Sequence, residues 1–458
     1  MKKLVLTCVL LIATMVAAAF ASEGCRIQRV VWTGEHSEGD EIYTSPLAGA
    51  PCDSWKFAAD KLVNDYENQG FIAAEVFGNV DSSGVLTVEL RRGSAFVWAG
   101  SENLDSSGTK PEVFRKLAGL TAGDLVRPLD LERAENRLAR LGYFERTAPA
   151  QMFRDPTRNR IVPAFSMRGA AVSEAEALLT YSSQDNVWEG SINVSLYNIL
   201  GTARDLQVEG FTAEDSRRLE GSYKEPWIFG TEWNLVARGY FDEDSSTRVA
   251  YGEVGITRDI GFDFSVGVYV GWGDNAKTSS LELKYESLDR FALPRSGTRI
   301  NGSAVWNLAR PDSLDNYLRL KASLVKYVPL YKNWIIRAGG QAGGIFATDA
   351  VLDRSDYFAL GGMNDFKAMD YRFMRTRAYG FSEFALLWQD GYDLSIEGFY
   401  MPGLYRAPRP DHGWKEEHEY GLAFTQYRKN WSVNFYYALR NGENYLDGIV
   451  GVGVKTLF

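Results

Sequence analysis

The stretch Trp233-Asn234-Leu235-Val236-Ala237-Arg238-Gly239-Tyr240-Phe241 decides how the rest of the chain is read. Trp233, Leu235, Ala237, Gly239 and Phe241 alternate with Asn234, Val236, Arg238 and Tyr240, so an extended strand here has one apolar face and one face that carries charge. The pattern recurs: Leu281, Leu283 and Tyr285 alternate with Glu282, Lys284 and Glu286, and Leu318, Leu320, Ala322 and Leu324 with Arg319, Lys321 and Ser323. From about residue 170 onward no helical period holds for more than a turn or two. Instead, alternating segments follow one another at a spacing of roughly 18 residues per strand and connection.

A soluble sandwich also alternates, but its strands are usually near five or six residues and it buries the apolar face in a shared core. Here the strands are long, and aromatic residues gather near their ends at Trp188, Trp227, Trp233, Trp272, Trp306, Trp334, Trp388 and Trp431. Apolar outside, polar inside and girdled by aromatics is the pattern of a transmembrane β-barrel. Residues 170–458 accommodate about 16 antiparallel strands, with 14 as the alternative, both even as single-chain bacterial barrels require. The last strand fits: Val450, Val452, Val454, Thr456 and Phe458 alternate with Gly451, Gly453 and Lys455. Two glycines remove side-chain packing, so the seam between this strand and a first strand near Glu174–Gln184 is expected to be weak. The alternative is that they make interior space for a folded-in loop. Gly339-Gly340 and Gly343-Gly344 are read in that second way, since no helix with Lys-Ser/Thr follows to make them a nucleotide loop.

Composition narrows the function classes. The 458 residues are 45% hydrophobic and 24% charged, with 44 Gly and only three Cys and three His. The single apolar run near membrane-helix length lies at the N-terminus, which excludes a bundle of membrane helices. A net charge of −9 and a pI near 5.2 argue against nucleic acid as the partner, because phosphate binding needs a basic field. Lys2 and Lys3, the apolar run Leu4–Val16 and the small-residue exit Ala19-Phe20-Ala21 have the order of a secretory signal peptide over residues 1–21; the alternative is a lone membrane anchor. Removal of Cys8 with that segment leaves Cys25 and Cys52, an even pair in an oxidising compartment. A bridge between them would contribute about 3 kcal/mol in the chain-entropy model. Two separate thiols are the alternative.

Between Cys25 and Arg168 one small αβ unit is read twice, over residues 22–93 and 94–169. The second copy has a strand at Ala95–Gly100, a helix at Pro111–Leu120, the break Gly123-Asp124, and a helix with Leu131, Ala134, Leu138 and Leu141 on one face. Gly142-Tyr143-Phe144 then turns into a strand, and Ile161–Met167 closes the unit. The first copy has Ile27–Trp32, a helix burying Ala59, Leu62 and Tyr66, then Gly70-Phe71 and Val85–Leu90; it lacks a convincing first helix. Matching Leu62 to Ala134 brings Tyr66 onto Leu138 and Gly70 onto Gly142, so the copies are in register.

Such repeats before a C-terminal barrel resemble the POTRA-plus-β-barrel superfamily of outer-membrane assembly and secretion proteins, with a BamA/TamA-like assembly branch and a two-partner secretion branch. Several stretches carry the resemblance: Gly123-Asp124 with Gly142-Tyr143-Phe144, the turn Asn198-Ile199-Leu200-Gly201-Thr202, the step Lys224-Glu225-Pro226, and the strand start Leu293-Pro294-Arg295-Ser296-Gly297-Thr298. It implies a loop folded into the barrel, about residues 348–378, whose tip follows a Leu-Gly-Gly and carries Arg-Gly-aromatic held by acidic wall residues. Here Leu360-Gly361-Gly362 is followed by Phe366-Lys367-Ala368-Met369, and Met401 stands where an acidic partner is expected. Lys is a point charge satisfied by one acceptor where Arg is a fork needing two. A single Lys367–Glu383 contact is the resulting expectation; a solvated Lys367 is the alternative.

The resemblance further implies an outer-membrane location with the N-terminal domains in the periplasm. Its implied partners are outer-membrane lipid, unfolded outer-membrane or secreted client polypeptides, and periplasmic accessory proteins at the POTRA domains. The leading expected function is assembly or translocation of those clients. A two-partner secretion transporter is the first alternative, against which no plug-helix segment is read before the first repeat, and a non-transporting binding barrel is the second. No Gly-x-Ser-x-Gly elbow occurs, and His36, His412 and His418 lack a partnered Ser and acid. No catalytic residue, metal or cofactor is therefore expected.

Overall fold

The computed structural model describes residues 25–34, 36–155, 158–170, 173–182, 187–213, 216–245, 247–274, 277–309, 316–346, 352–362, 366–369, 374–391, 393–406, 413–428 and 431–457. The expected signal segment and Phe458 lie outside them. Packing divides the chain into two units, the first comprising the residues up to Gly100 with Leu120–Glu132 and Met152–Pro163, and the second Ser101–Gly119, Arg133–Gln151 and Ala164–Phe458. The second αβ repeat is thus shared between the units.

The first repeat contains β1 (Arg29–Thr33), α1 (Glu38–Thr44), α2 (Ser54–Asn68), β2 (Glu75–Val80) and β3 (Val85–Arg91), with sheet order β1-β3-β2. The short helix α1 corrects the expectation that this copy has none. Its sequence, Glu-Gly-Asp-Glu-Ile-Tyr-Thr, has little apolar period to reveal it, but Ser37 and Asp40 form a capping box at its start. Asp40 is buried and satisfied by the Tyr66 hydroxyl at 2.9 Å and the Ser37 N–H at 2.7 Å. On α2 the buried stripe is Ala58, Leu62 and Tyr66, a clean spacing of four, and not Ala59. Cys25 and Cys52 are bridged with their Cα atoms 5.4 Å apart.

The second repeat contains β4 (Val97–Trp98), β5 (Glu102–Asn103), α3 (Pro111–Ala118), α4 (Pro128–Arg140), β6 (Phe144–Arg154) and β7 (Arg160–Gly169), with both β4 and β5 running parallel to β7. Proline opens both helices, where a missing N–H costs nothing, and Gly119 in the left-handed region (φ 73°) ends α3.

The barrel begins with β8 (Glu174–Ser182), β9 (Val187–Leu196), β10 (Asp205–Ala213), β11 (Ser216–Glu225), β12 (Trp233–Asp244), β13 (Arg248–Ile260), β14 (Phe264–Gly273) and β15 (Lys277–Glu286). It continues with β16 (Gly297–Ala309), β17 (Tyr317–Tyr331) and β18 (Trp334–Phe346), after which a loop carries the short pair β19 (Phe358–Leu360) and β20 (Met374–Thr376). The remaining strands are β21 (Ala378–Asp390), β22 (Leu394–Arg406), β23 (Trp414–Arg428), β24 (Trp431–Arg440) and β25 (Ile449–Leu457). All but β19 and β20 form one closed antiparallel barrel of 16 strands.

Closure follows from the alternation. Exposed Leu219, Val268, Val270, Leu283, Leu324, Leu386, Leu422 and Val454 face outward as a belt, while Arg238, Glu253 and Glu282 pair inside. Trp334 and Trp431 stand at one end of the belt and Trp188, Trp272 and Trp414 toward the other. A sheet without edges satisfies every backbone amide that lipid could not. In the lumen, Tyr269 is almost fully buried because Gly255 and Gly267 leave its ring room that any Cβ would take.

The seam is continuous. Strand β25 pairs with β8 along its whole length, from Ile449↔Ser182 to Leu457↔Glu174, and with β24 on its other side from Trp431↔Thr456 to Ala438↔Ile449. Gly451 and Gly453 do not shorten it: a glycine keeps both backbone hydrogen-bonding groups, and the side-chain space is filled by Tyr436 over Gly451 and Leu178 beside Gly453.

Candidate functional site

The loop between β18 and β21 turns into the lumen. Asp353 caps the turn Arg354–Asp356, and Asp356 in turn receives the Tyr317 hydroxyl at 2.9 Å. After Leu360, Gly361 (φ 115°) and Gly362 (φ 88°) take backbone angles that side chains resist, and the Gly362 N–H donates to the Met369 carbonyl at 2.7 Å. The Leu-Gly-Gly therefore makes the bend that presents Phe366, Lys367, Ala368 and Met369 as the tip. Phe366, Ala368 and Met369 are buried in one apolar cluster with Phe381, Phe399, Met401, Tyr436 and Ile449 of the wall. The Phe366 ring packs tilted against Phe381, with centroids 4.5 Å apart, and a Cβ on Gly403 would sit 3.1 Å from its ring. Gly343 likewise leaves room for Phe358 of the loop.

The polar grip differs from the expectation. Lys367 does not pair with Glu383; its Nζ lies 3.8 Å from Glu397 Oε1 and 4.6 Å above the Phe399 ring. Glu383 accepts from Arg337 on β18, whose guanidinium also donates to both oxygens of Glu397, at 2.8 Å and 3.1 Å. The fork and its two acids are therefore present, but the fork stands on the barrel wall and not on the loop. A planar guanidinium between two carboxylates outcompetes a single ammonium for them.

The tip is also held by its backbone. The N–H groups of Lys367 and Ala368 donate to the two oxygens of Glu419, at 3.2 Å and 2.9 Å, and Glu419 is fully buried. Neither Arg337 nor Glu419 was identified from sequence. Strand parity was the available signal: Arg337 shares the inward face with Gly339 and Gln341, and Glu419 shares parity with Gly421, opposite to the lipid-facing Leu422 and Phe424.

The repeat motif residues are distributed over both units. In the first, the Gly123 N–H and the Asp124 carbonyl bond to Trp98 at 2.9 Å and 2.8 Å, which seats the Gly-Asp break beside β4. In the second, Phe144 packs edge-on against Phe114, and Gly142 (φ 76°) lies against the Phe291 ring, where a Cβ would come within 3.0 Å. Tyr143 donates to Asp205 at the start of β10, at 2.6 Å. Burial first, and the Asp205 charge second, push its phenol well above the usual tyrosine range. Arg137 and Arg140 reach the turn after β13, pairing with Asp259 and Asp263, each at 2.8 Å.

The barrel motifs have local structural roles. Asn198 (φ 48°) donates to Thr109 at 2.7 Å, and Arg204 clasps Glu225 through three hydrogen bonds of 2.8–3.0 Å. Asp289 receives the Arg295 and Ser296 N–H groups that start the strand after Pro294.

In the closing strand, Val452 and Val454 are lipid-facing, Val450 pairs with Tyr181, and Gly451 and Gly453 face inward. Lys455 crosses the seam, with its Nζ 2.7 Å from Glu174 and 3.8 Å from Glu176.

Residues 272–386 match the Omp85 superfamily domain. Solved structures similar to this chain include CdiB from Escherichia coli, at 14% identity and TM-score 0.59 over 95% of this chain and 92% of that one. CdiB from Acinetobacter baumannii is similar at 11% identity and TM-score 0.55, over 95% and 91%. BamA from Haemophilus ducreyi lacking POTRA domains 1–3 has 13% identity and TM-score 0.49, over 94% and 100%. No curated protein matches the sequence. The CdiB likenesses carry the fold, a closed 16-stranded barrel behind small αβ repeats, and the domain match falls within that barrel.

Proposed function

We propose that this chain, an outer-membrane barrel carrying an Omp85 superfamily domain, inserts or exports client polypeptides, with the β8–β25 seam as the place where client strands pair. The supporting observation is the apolar core that contains Phe366, Ala368 and Met369 of the loop tip together with Tyr436 and Ala438 of β24 and Ile449 of β25. A loop packed against the closing strands can pass its own displacement to the seam. An opened seam exposes strand edges, and an incoming β-segment gains there the backbone partners that lipid denies it, each worth several kcal/mol. The αβ repeats, placed in the periplasm in this reading, would receive clients before they reach the membrane.

Leu179 and Val452 are register partners across the seam and both face lipid. A Leu179→Cys/Val452→Cys variant, oxidised, should lock it. Cells that depend on the locked protein should accumulate unfolded outer-membrane proteins if the role is assembly, or retain one exoprotein if it is dedicated secretion, and a reductant should restore both. Unchanged outer-membrane and secreted proteomes in those cells would refute the reading.

A further inference from the structure

The inward loop leaves part of the lumen open. Between the β10–β13 wall, β17 and the loop lies a cavity of about 300 Å³, near the barrel end opposite the turns that receive Tyr143 and Arg137. Its charged lining is sorted by partner. Arg218 is held by Glu220 and Arg375 by Asp244. Arg319 and Lys321, at successive inward positions of β17, form no ion pair or hydrogen bond among the described residues; Arg319 only lies over the Phe358 ring, 4.9 Å from its centroid. Glu209 and Asp242 line the chamber from β10 and β12, on the facing wall. Tyr240, Phe358 and Tyr379 give it aromatic surface.

We infer that this chamber binds a phosphorylated sugar. Two adjacent cations with no ion-pair or hydrogen-bond partner among the described residues suit a phosphate: the Arg fork takes two oxygens and the Lys ammonium a third. Carboxylates on the far wall suit the other end of such a ligand, because sugar hydroxyls donate hydrogen bonds and carboxylates only accept. The volume matches the lower range of small-ligand sites, which begins near ~300 Å³. The chemistry is shared by a soluble sugar phosphate and by the phosphorylated headgroup of an outer-leaflet glycolipid.

The full-length protein in detergent separates these sources. Glucose 1-phosphate is titrated calorimetrically with glucose as control, and in a second arm lipid A is compared with its dephosphorylated form in mixed micelles. Saturable, phosphate-dependent binding in the first arm identifies a soluble ligand, and in the second a lipid one. The Arg319→Gln/Lys321→Gln pair should weaken it about tenfold or more, while Lys321→Arg retains it. Raising NaCl from about 0.05 to 0.5 M should weaken binding to the unaltered protein, a test that needs no variant to fold. Absence of phosphate-dependent binding in both arms, or binding indifferent to salt or to the folded double variant, would overturn the inference.

Discussion

The carboxylate of Glu419 on β23 receives the backbone N–H of Ala368 at 2.9 Å, so the wall grips the loop tip by its main chain. The Lys367 N–H donates to the other oxygen at 3.2 Å. This grip does not depend on which side chains the tip presents, and it coexists with Lys-Ala-Met in place of Arg-Gly-aromatic. Glu419→Ala leaves two buried donors without an acceptor and should cost roughly 2–4 kcal/mol. Glu419→Gln keeps one acceptor oxygen and should cost less. Denaturant unfolding measures the difference, and limited proteolysis within residues 352–376 should show a freed loop in the alanine variant; equal stability and equal cleavage would refute the grip.

Arg337, which carries no mark in the sequence reading, should matter more than Lys367 at the loop tip. Arg337→Ala removes the cation between two acids that are mostly buried and should destabilise by about 3–5 kcal/mol, the range for breaking a buried ion pair. Lys367→Ala removes a 3.8 Å ion contact and the ammonium over the Phe399 ring, and should cost about 1 kcal/mol. Heat-modifiable gel mobility and urea midpoints of the two variants test the ranking.

Lys455 pairs across the seam with Glu174 at 2.7 Å, and both are largely shielded from solvent. Lys455→Met should leave Glu174 unpaired inside the barrel and loosen β25 from β8, and Glu174→Gln in the same chain should recover part of the loss. Hydrogen exchange of the amides in 449–457 is the readout. Exchange rates unchanged in the single variant would show that the backbone ladder alone holds the seam.

The Tyr143–Asp205 link should be sensitive to alkali. In the unfolded chain a tyrosine ionises near pH ~10, whereas burial and Asp205 keep Tyr143 protonated beyond that value. With the folded value raised, the link contributes fully below about pH 10 and is lost as the pH climbs through the raised value. Tyr143→Phe should flatten the alkaline limb of a stability-against-pH curve; an unaltered limb would place the alkaline loss elsewhere.

Reduction of Cys25–Cys52, which lie 27 residues apart in sequence, should destabilise the first repeat by about 3 kcal/mol. Protection of amides in 29–91 with and without reductant measures it, and protection in the barrel should not change.

Much of this fold is legible in the chain because a barrel strand has a period of two, and lipid outside with water inside forces that period onto the residue types. Trp233–Phe241 reads correctly for this reason, as do Leu281–Glu286 and Leu318–Leu324. Local chemistry also suffices for the start of α3 at Pro111. The helix α1 escaped because its seven residues bury only Asp40 and Thr44, a polar interior with no apolar stripe.

What the sequence determined by itself is the alternation, and hence the barrel and its lipid face; the choice of 16 strands over 14 was made by closure. Which charges meet in the lumen was decided only by the tertiary structure. Inward-facing acids and bases have the same parity on every strand, and parity carries no information about partners separated by tens of residues. Closure and register bring Arg337 to Glu383 and Glu397, Lys455 to Glu174, and the loop backbone to Glu419. A guanidinium on the wall can then take Glu383, the acid that the loop was expected to claim, because the pairing depends on distance in the closed barrel and not on position along the chain.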